Sequence, residues 1–291
     1  MKELFYKVAG HVFSFQTGEC ESIIGKMRNY EPFLVQPSKA PLFSLHITDA
    51  PLPDKGVSIE MRQQDDGQEI IVGRQSTGEP RFEFWLRGQR AAVLVTSVDY
   101  SRGDVFLEIN SAFGVNNAMM VMYTLSTANR RTALFHSSVV SYRNGGYMFL
   151  GHSGTGKSTH SGLWLKHIDG TELVNDDNPV VRIHDNGEVR VYGSPWSGKT
   201  PCYRAVSFPL KALVDLSQAP KNRICRLRGI EAYIALVPAI SGKRWEKSMA
   251  DGIHETENLL SQTVPVWHLD CLPDGDAARL CCHTCSADEL L

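Results

Sequence analysis

The chain has 291 residues, 42% of them apolar, enough for one large domain or two smaller ones around a sizeable core. Thirty basic and 32 acidic residues nearly cancel, which argues against a nucleic-acid-binding surface. No stretch is apolar over the length that crosses a bilayer, the first residues lack a signal-peptide core, and seven cysteines, an odd number, fit reduced thiols of a cytoplasmic protein better than a disulfide framework.

Residues 1–110 read as a β-rich domain. The stretch 4–15 alternates loosely, with Phe13 and Phe15 on one face, and short β-type runs follow at 42–47, 57–61, 69–72, 82–86, 91–96 and 105–109. Turn signals such as Asp66-Gly67, Thr77-Gly78 and Arg87-Gly88 separate them, so the spacing predicts a meandering antiparallel sheet. No catalytic cluster stands out in it, and its acids and arginines read as solvated strand faces. Between 111 and 130, Phe113, Val115, Met119, Met120, Met122, Tyr123 and Leu125 follow a helical period. This predicts a connecting helix that packs the sheet against the next unit, with methionines filling gaps rather than binding a metal.

Residues 131–291 read differently. A strand over 134–141, a turn at Asn144-Gly145-Gly146 and a buried strand over 147–150 lead into Gly151, Gly156, Lys157 and Ser158, which fit the phosphate-loop spacing G-x-x-x-x-G-K-[ST]. Gly151, Gly154 and Gly156 let the backbone turn tightly, so that peptide N–H groups converge on an anion, and a helix starting near Lys157 adds its positive end. The loop Gly151, Ser153, Gly154, Thr155, Gly156, Lys157, Ser158 and Thr159 is therefore the expected nucleotide cradle. Lys157 would reach the outer phosphates and the Ser158 hydroxyl a Mg²⁺ ion. An amphipathic helix follows over 161–167.

A strand over 172–175 then ends in Asp176-Asp177. An acidic pair at a strand end, directly after the loop's helix, suits a metal-holding carboxylate, and one such group is also needed near the acceptor. Adjacent residues of an extended chain point to opposite sides, so one aspartate faces the metal and the other serves as base; either assignment is open. Runs at 180–183 and 189–192 flank Asp185-Asn186-Gly187, a hairpin signal. The Gly- and Pro-rich segment 193–201 carries Trp196 and Lys199, with Arg204 just beyond, and is the expected substrate loop. Ser197-Gly198-Lys199-Thr200 echoes a phosphate loop but lacks the upstream glycine, and Pro201 blocks a following helix. A strand at 211–216, the basic run Lys221, Arg223, Arg226 and Arg228 (a solvated face, with Arg223 or Arg226 open to a phosphate), helices over 229–240 and 246–263, a strand at 266–269 and a helix over 275–282 complete the chain. Cys271, Cys281, Cys282 and Cys285, with His268 and His283 nearby, hold one C-x-x-C and an adjacent pair awkward for tetrahedral ligation; buried thiols on a final helix are the simpler reading. Hairpins among nucleotide-binding elements exclude a purely parallel sheet and predict a mixed α/β sheet.

The order of parts, with His136 on a strand, the loop Gly151 to Ser158 and Asp176-Asp177 about twenty residues later, resembles the HPr kinase/phosphorylase and phosphoenolpyruvate carboxykinase superfamily over roughly residues 130–290. A strand histidine alone reads as a core residue. The resemblance implies that His136 lies beside the transferred phosphate, that Lys157 and Ser158 hold nucleotide phosphates and Mg²⁺, and that an aspartate of the pair is the base. It also implies a phosphate-loop fold with hairpins woven into its sheet. Thr159 stands where HPr kinases carry an acid, and 193–199 replaces their glycine-rich strand, so the acceptor is unassigned. Some relatives act on the serine hydroxyl of a free amino acid or of a peptide end.

The expectation is a cytoplasmic, Mg²⁺- and ATP-dependent (or other nucleotide-dependent) kinase that phosphorylates a hydroxyl of a small molecule, peptide or protein. Catalysis falls to Asp176, Asp177, His136 and Lys157, metal binding to Ser158 and Asp176, and substrate contact to Lys199, Arg204 and Trp196. ADP or pyrophosphate remains open as donor, and a homo-oligomer is compatible. The alternatives are a nucleotide-binding regulator or scaffold with little turnover, and carboxykinase chemistry.

Overall fold

A computed structural model describes residues 2–54, 56–198 and 200–287. The chain divides into two compact units, Met1–Ser126 and Thr127–Leu291.

The first unit is built on a sheet of nine strands among the described residues: β1 (Glu3–Val8), β2 (His11–Gln16), β3 (Leu34–Val35), β4 (Ser44–Ile47), β5 (Ser58–Asp65), β6 (Gln68–Arg74), β7 (Pro80–Leu86), β8 (Gln89–Thr96) and β9 (Arg102–Leu107). The run β5 to β9 is the antiparallel meander that the turn spacing predicts. The rest departs from it, because β4 lies between β2 and β9 and is parallel to both. The crossover to β4 contains two 3₁₀ turns, Glu21–Lys26 and Arg28–Phe33, that have no sequence-level period of their own. They are held by burial of Ile23, Tyr30 and Phe33. Helix α1 (Ala112–Thr127) lies within this unit's packing: Tyr123 donates to Val8 O (3.2 Å) and its ring meets Phe13 edge-on. Met119 and Met122 are fully buried, as gap fillers should be.

The second unit is mixed α/β. Its strands are β10 (Thr132–Leu134), β11 (Ser137–Tyr142), β12 (Gly145–Leu150), β13 (Glu172–Asp177), β14 (Val180–Ile183), β15 (Val189–Tyr192), β16 (Ser207–Gln218), β17 (Arg223–Leu227) and β18 (Val266–Cys271). They pair in the order β10-β14-β15-β16-β12-β11-β13, and β18 extends the sheet from β16 to β17. Among the described residues, only the β12·β16 and β16·β18 pairs are parallel; the others are antiparallel. The helices are α2 (Lys157–His167), α3 (Ile230–Leu236), α4 (Lys247–Thr263) and α5 (Gly275–Ser286). The predicted helix over 229–240 ends early, because Pro238 turns its last part into a 3₁₀ turn, Val237–Ala239.

Two local differences from expectation have clear causes. The β11–β12 turn is Arg143-Asn144, both with positive φ (47° and 61°), so the glycines fall in the strand. They are needed there for space: a Cβ on Gly145 would come within 2.5 Å of Lys211, and one on Gly146 within 2.4 Å of Val191. The strand predicted over 134–141 is broken at Phe135-His136, between β10 and β11, because those strands pair with different neighbours.

Every residue of β12 is buried, as a strand flanked on both sides and covered on both faces must be. On one face, Tyr147 and Phe149 join Val140, Ala212, Val214, Leu216 and Leu269 in a core shared with Trp164 of α2 and with Cys281, Cys282 and Cys285 of α5. The three thiols are thus packing groups on the last helix, and burial raises the pKa of Cys281 and Cys282. No helix among the described residues is long and apolar enough to cross a membrane.

Candidate functional site

The site grows out of the end of β12. After Leu150 the chain cannot extend, because Gly151, Gly154 and Gly156 take positive φ (137°, 80° and 110°) and curl it into a loop that feeds α2. A Cβ on Gly151 would press against Thr155 at 3.1 Å. Ser153 and Gly154 are exposed at the loop's crest, while Thr155 and Gly156 are half-buried. The first turn of α2 leaves its N–H groups without helical acceptors, at the positive end of the helix.

Lys157, 9% exposed, folds back and donates to Gly151 O (2.9 Å) and His152 O (3.2 Å). Burial lowers its pKa, and the charges of Asp177 and Asp176 oppose that shift. Among the described residues, the hydrogen bonds of this ammonium group go to those two carbonyls, at the start of α2. Ser158 and Thr159, in the first turn of α2, are exposed. The Ser158 hydroxyl donates to Asp176 Oδ1 at 2.8 Å. A hydroxyl and a carboxylate, adjacent and hard, are the donor set that Mg²⁺ takes beside phosphates.

Register explains why the two aspartates part company. Asp176 pairs with Ser138, which pairs with Phe149, so its side chain lies on the α2 face of the sheet. Asp177 pairs with Ser137 and has φ 132°, a rare conformation for a residue with a side chain, which costs on the order of 1–3 kcal/mol. Its carboxylate is gripped at both ends: His136 Nδ1 lies 3.1 Å from Oδ1, and Asn178 Nδ2 donates to Oδ2 at 2.7 Å. Asp176 is 5% exposed, while the Asp177 and His136 side chains remain 33% and 43% exposed. One acid is therefore shut against the loop's hydroxyl, and the other is open to a visitor.

The strained turn is buttressed from behind. The buried Asn175 amide donates to Ser194 Oγ (3.2 Å) and Trp196 O (3.1 Å), and its Oδ1 accepts from Asn178 N (2.9 Å). Gly198 N and Ser197 Oγ both donate to Asp176 O. At Gly198 a Cβ would sit 3.0 Å from that of Asp177.

Two of the expected substrate contacts need correction, and a third cannot be placed. Trp196 is 5% exposed and packed inside, because its peptide is drawn in by Asn175 and Ser194. Arg204 lies at the opposite end of β13, donating to Leu173 O and the Glu172 carboxylate (2.6 Å each), since the chain runs back along that strand. Lys199 lies outside the described residues. The loop 193–198 acts on the aspartates through its backbone and hydroxyls instead. Asn175, Asn178 and Gln218 carry no sequence motif that points to the site, yet all three support it, and the Gln218 amide reaches Gly154 O (3.2 Å) and Thr155 O (3.4 Å). Asn178 was legible only as a turn residue before Pro179, and Gln218 lay beyond the predicted end of its strand.

No protein-family model matches this chain. No curated protein matches it. Among solved structures, the HPr(Ser) kinase/phosphatase from Coxiella burnetii is similar over 54% of this chain and 90% of that one, at 14% identity and a TM-score of 0.32. A likeness at that level assigns neither residues nor activity.

Proposed function

We propose that the second unit is a nucleotide-dependent phosphotransferase that acts on a hydroxyl group. The single observation behind this reading is the juxtaposition of Ser158 with Asp176 at 2.8 Å under a glycine loop, with the His136–Asp177 pair one strand position away. In this reading the peptide N–H groups of 151–156 and the Lys157 ammonium hold the outer phosphates of a nucleoside triphosphate. Ser158 and Asp176 hold Mg²⁺, which when bound offsets charge on the phosphate oxygens. Asp177 is the base: an acceptor hydroxyl gives its proton to this carboxylate as its oxygen bonds to the terminal phosphorus. The bond from that phosphorus to the bridging oxygen breaks, and a nucleoside diphosphate leaves. His136 and Asn178 fix the carboxylate in the orientation that takes the proton. The acceptor class is a small hydroxyl compound or a peptide side chain, reaching the exposed side of Asp177.

Lys157→Ala tests the reading. The variant should keep its circular dichroism and thermal unfolding, and lose phosphoryl transfer from labelled ATP with Mg²⁺ by about a thousandfold, as loss of a charge-stabilising group in a dry site does. Full transfer in a folded Lys157→Ala protein would remove the proposal.

A further inference from the structure

His136 sits where no regular strand holds it, between β10 and β11. Two neighbours hold the backbone there instead. Phe135 N donates to Pro179 O (3.0 Å), just past the acidic pair, and His136 N donates to Ala239 O (2.7 Å). Ser241 N donates to Leu134 O (3.0 Å), and Phe135 bridges Ile240 in antiparallel fashion. The short run 239–241 is thus a splint laid along 134–136.

What fixes the splint is an ion pair outside the site, between the half-buried Arg244 and a buried glutamate. Arg244 Nη2 donates to Val237 O (2.8 Å), to Ile240 O (3.3 Å) and to Glu257 Oε1 (2.5 Å). Glu257, on α4, is fully buried. Its other oxygen accepts from Tyr233 Oη of α3 (3.1 Å) and faces His254 Nδ1 (3.0 Å), and Tyr233 and His254 touch each other at 2.6 Å. The cluster ties α3, the 3₁₀ turn and α4 to one carboxylate. Burial and that carboxylate raise the Tyr233 pKa, so its phenol stays a donor.

Stability alone is a poor reason for this arrangement. Burying a carboxylate as deeply as Glu257 commonly costs what its ion pair returns, and Arg244 Nη1 has no hydrogen-bond partner among the described residues. What the guanidinium supplies, and an apolar residue does not, is a single nitrogen, Nη2, that reaches the carbonyls on either side of Ala239 as well as the carboxylate.

We propose that Arg244 and Glu257 are positioning residues for His136: they set the 237–240 backbone, Ala239 O sets the His136 peptide, and the imidazole is thereby aimed at Asp177. The inference rests on the phosphotransferase reading for its consequence, but not for its geometry.

The test reads both separately. In Glu257→Gln the imidazole ¹⁵N resonances of His136 should move from their wild-type positions, while those of the exposed His283 stay in place. Turnover should fall by about 10- to 100-fold with nucleotide affinity held, as for a misaligned reacting group, and the same change in a His136→Ala background should cost almost nothing more. Should Glu257→Gln fail to fold, Arg244→Met carries the comparison, since it keeps the apolar bulk and removes the donor to both carbonyls. Unchanged His136 resonances in a folded variant, or an equal loss with and without His136, would overturn the proposal. Absence of turnover in the wild type would sink the phosphotransferase reading alone and leave the resonance test standing.

Discussion

Two groups of charged residues in this chain look alike on paper and are built to opposite plans. In the first unit, Arg81 is 1% exposed and meets Glu83 (3.1 Å), Asp54 (2.5 Å) and Pro53 O (2.6 Å). Arg90 meets Asp54 (2.9 Å), Glu108 (2.5 Å) and, more distantly, Glu83. Arg90 holds the Asp54 carboxyl below the usual carboxylate range. Each cation has carboxylates in reach, and neither guanidinium is left to meet a ligand. In the second unit, Lys157 donates to its own loop's carbonyls rather than to a carboxylate, Asp177 holds a costly backbone angle, and His136 stays open to solvent. Neutralised charge holds a sheet together; charge kept short of its partners is what a ligand can complete.

That contrast can be broken by experiment. The largest effect is expected at the open acid. Asp177→Asn should lower phosphoryl transfer about a thousandfold, as loss of a base does, with nucleotide affinity near wild type. An equal loss in affinity would make Asp177 a binding group instead.

Acid should find the second unit's weak point next. His160, on α2, is buried, accepts from Trp164 Nε1 (3.1 Å) through Nε2, and leaves Nδ1 without a partner; burial pushes its pKa down from 6.5 to about 4. The folded state therefore resists protonation that the unfolded chain accepts below pH 6.5, so stability falls as pH drops from 6.5 towards 4. The loss at pH 4 is about 3 kcal/mol. Denaturant titrations at each pH, followed by tryptophan fluorescence, should show a flatter profile in His160→Gln, which keeps an acceptor for Trp164 and does not titrate. An unchanged profile would point to another group.

The smallest expected effect lies in the neutralised cluster. Arg81→Met should cost about 2 kcal/mol of unfolding free energy, below the range for a fully buried pair because Arg90 still serves Asp54 and Glu83. Urea midpoints measure it, and transfer activity should not change. A change in activity with stability intact would mean that the first unit's charges reach the chemistry.

The glycine loop, the start of α2 and the acidic end of β13 were legible because they are local: spacing along the chain dictates where the backbone turns and where a helix starts. The hairpins at Asp66-Gly67 and Arg87-Gly88 were legible for the same reason, whereas the β11–β12 turn falls on Arg143-Asn144, one step before its glycines. Reading failed where side chains were assigned to a ligand without knowing what stands behind them. Trp196 and Arg204 looked like a clamp because aromatic and cationic residues on a glycine-rich loop are usually exposed. In the fold one is drawn inward by Asn175, and the other is spent on Glu172 at the far end of β13.

By itself, then, the sequence determined a β-rich first stretch, a mixed α/β second one and the glycine loop that leads into α2, because short-range backbone geometry is encoded residue by residue. Only the tertiary structure decided that Asp176 turns to Ser158 while Asp177 turns to His136, that β4 enters its sheet in parallel, and that Ala239 steadies the histidine from about a hundred residues away. Those outcomes depend on strand register and on which distant segment fills a neighbouring edge, and neither is written in any local pattern.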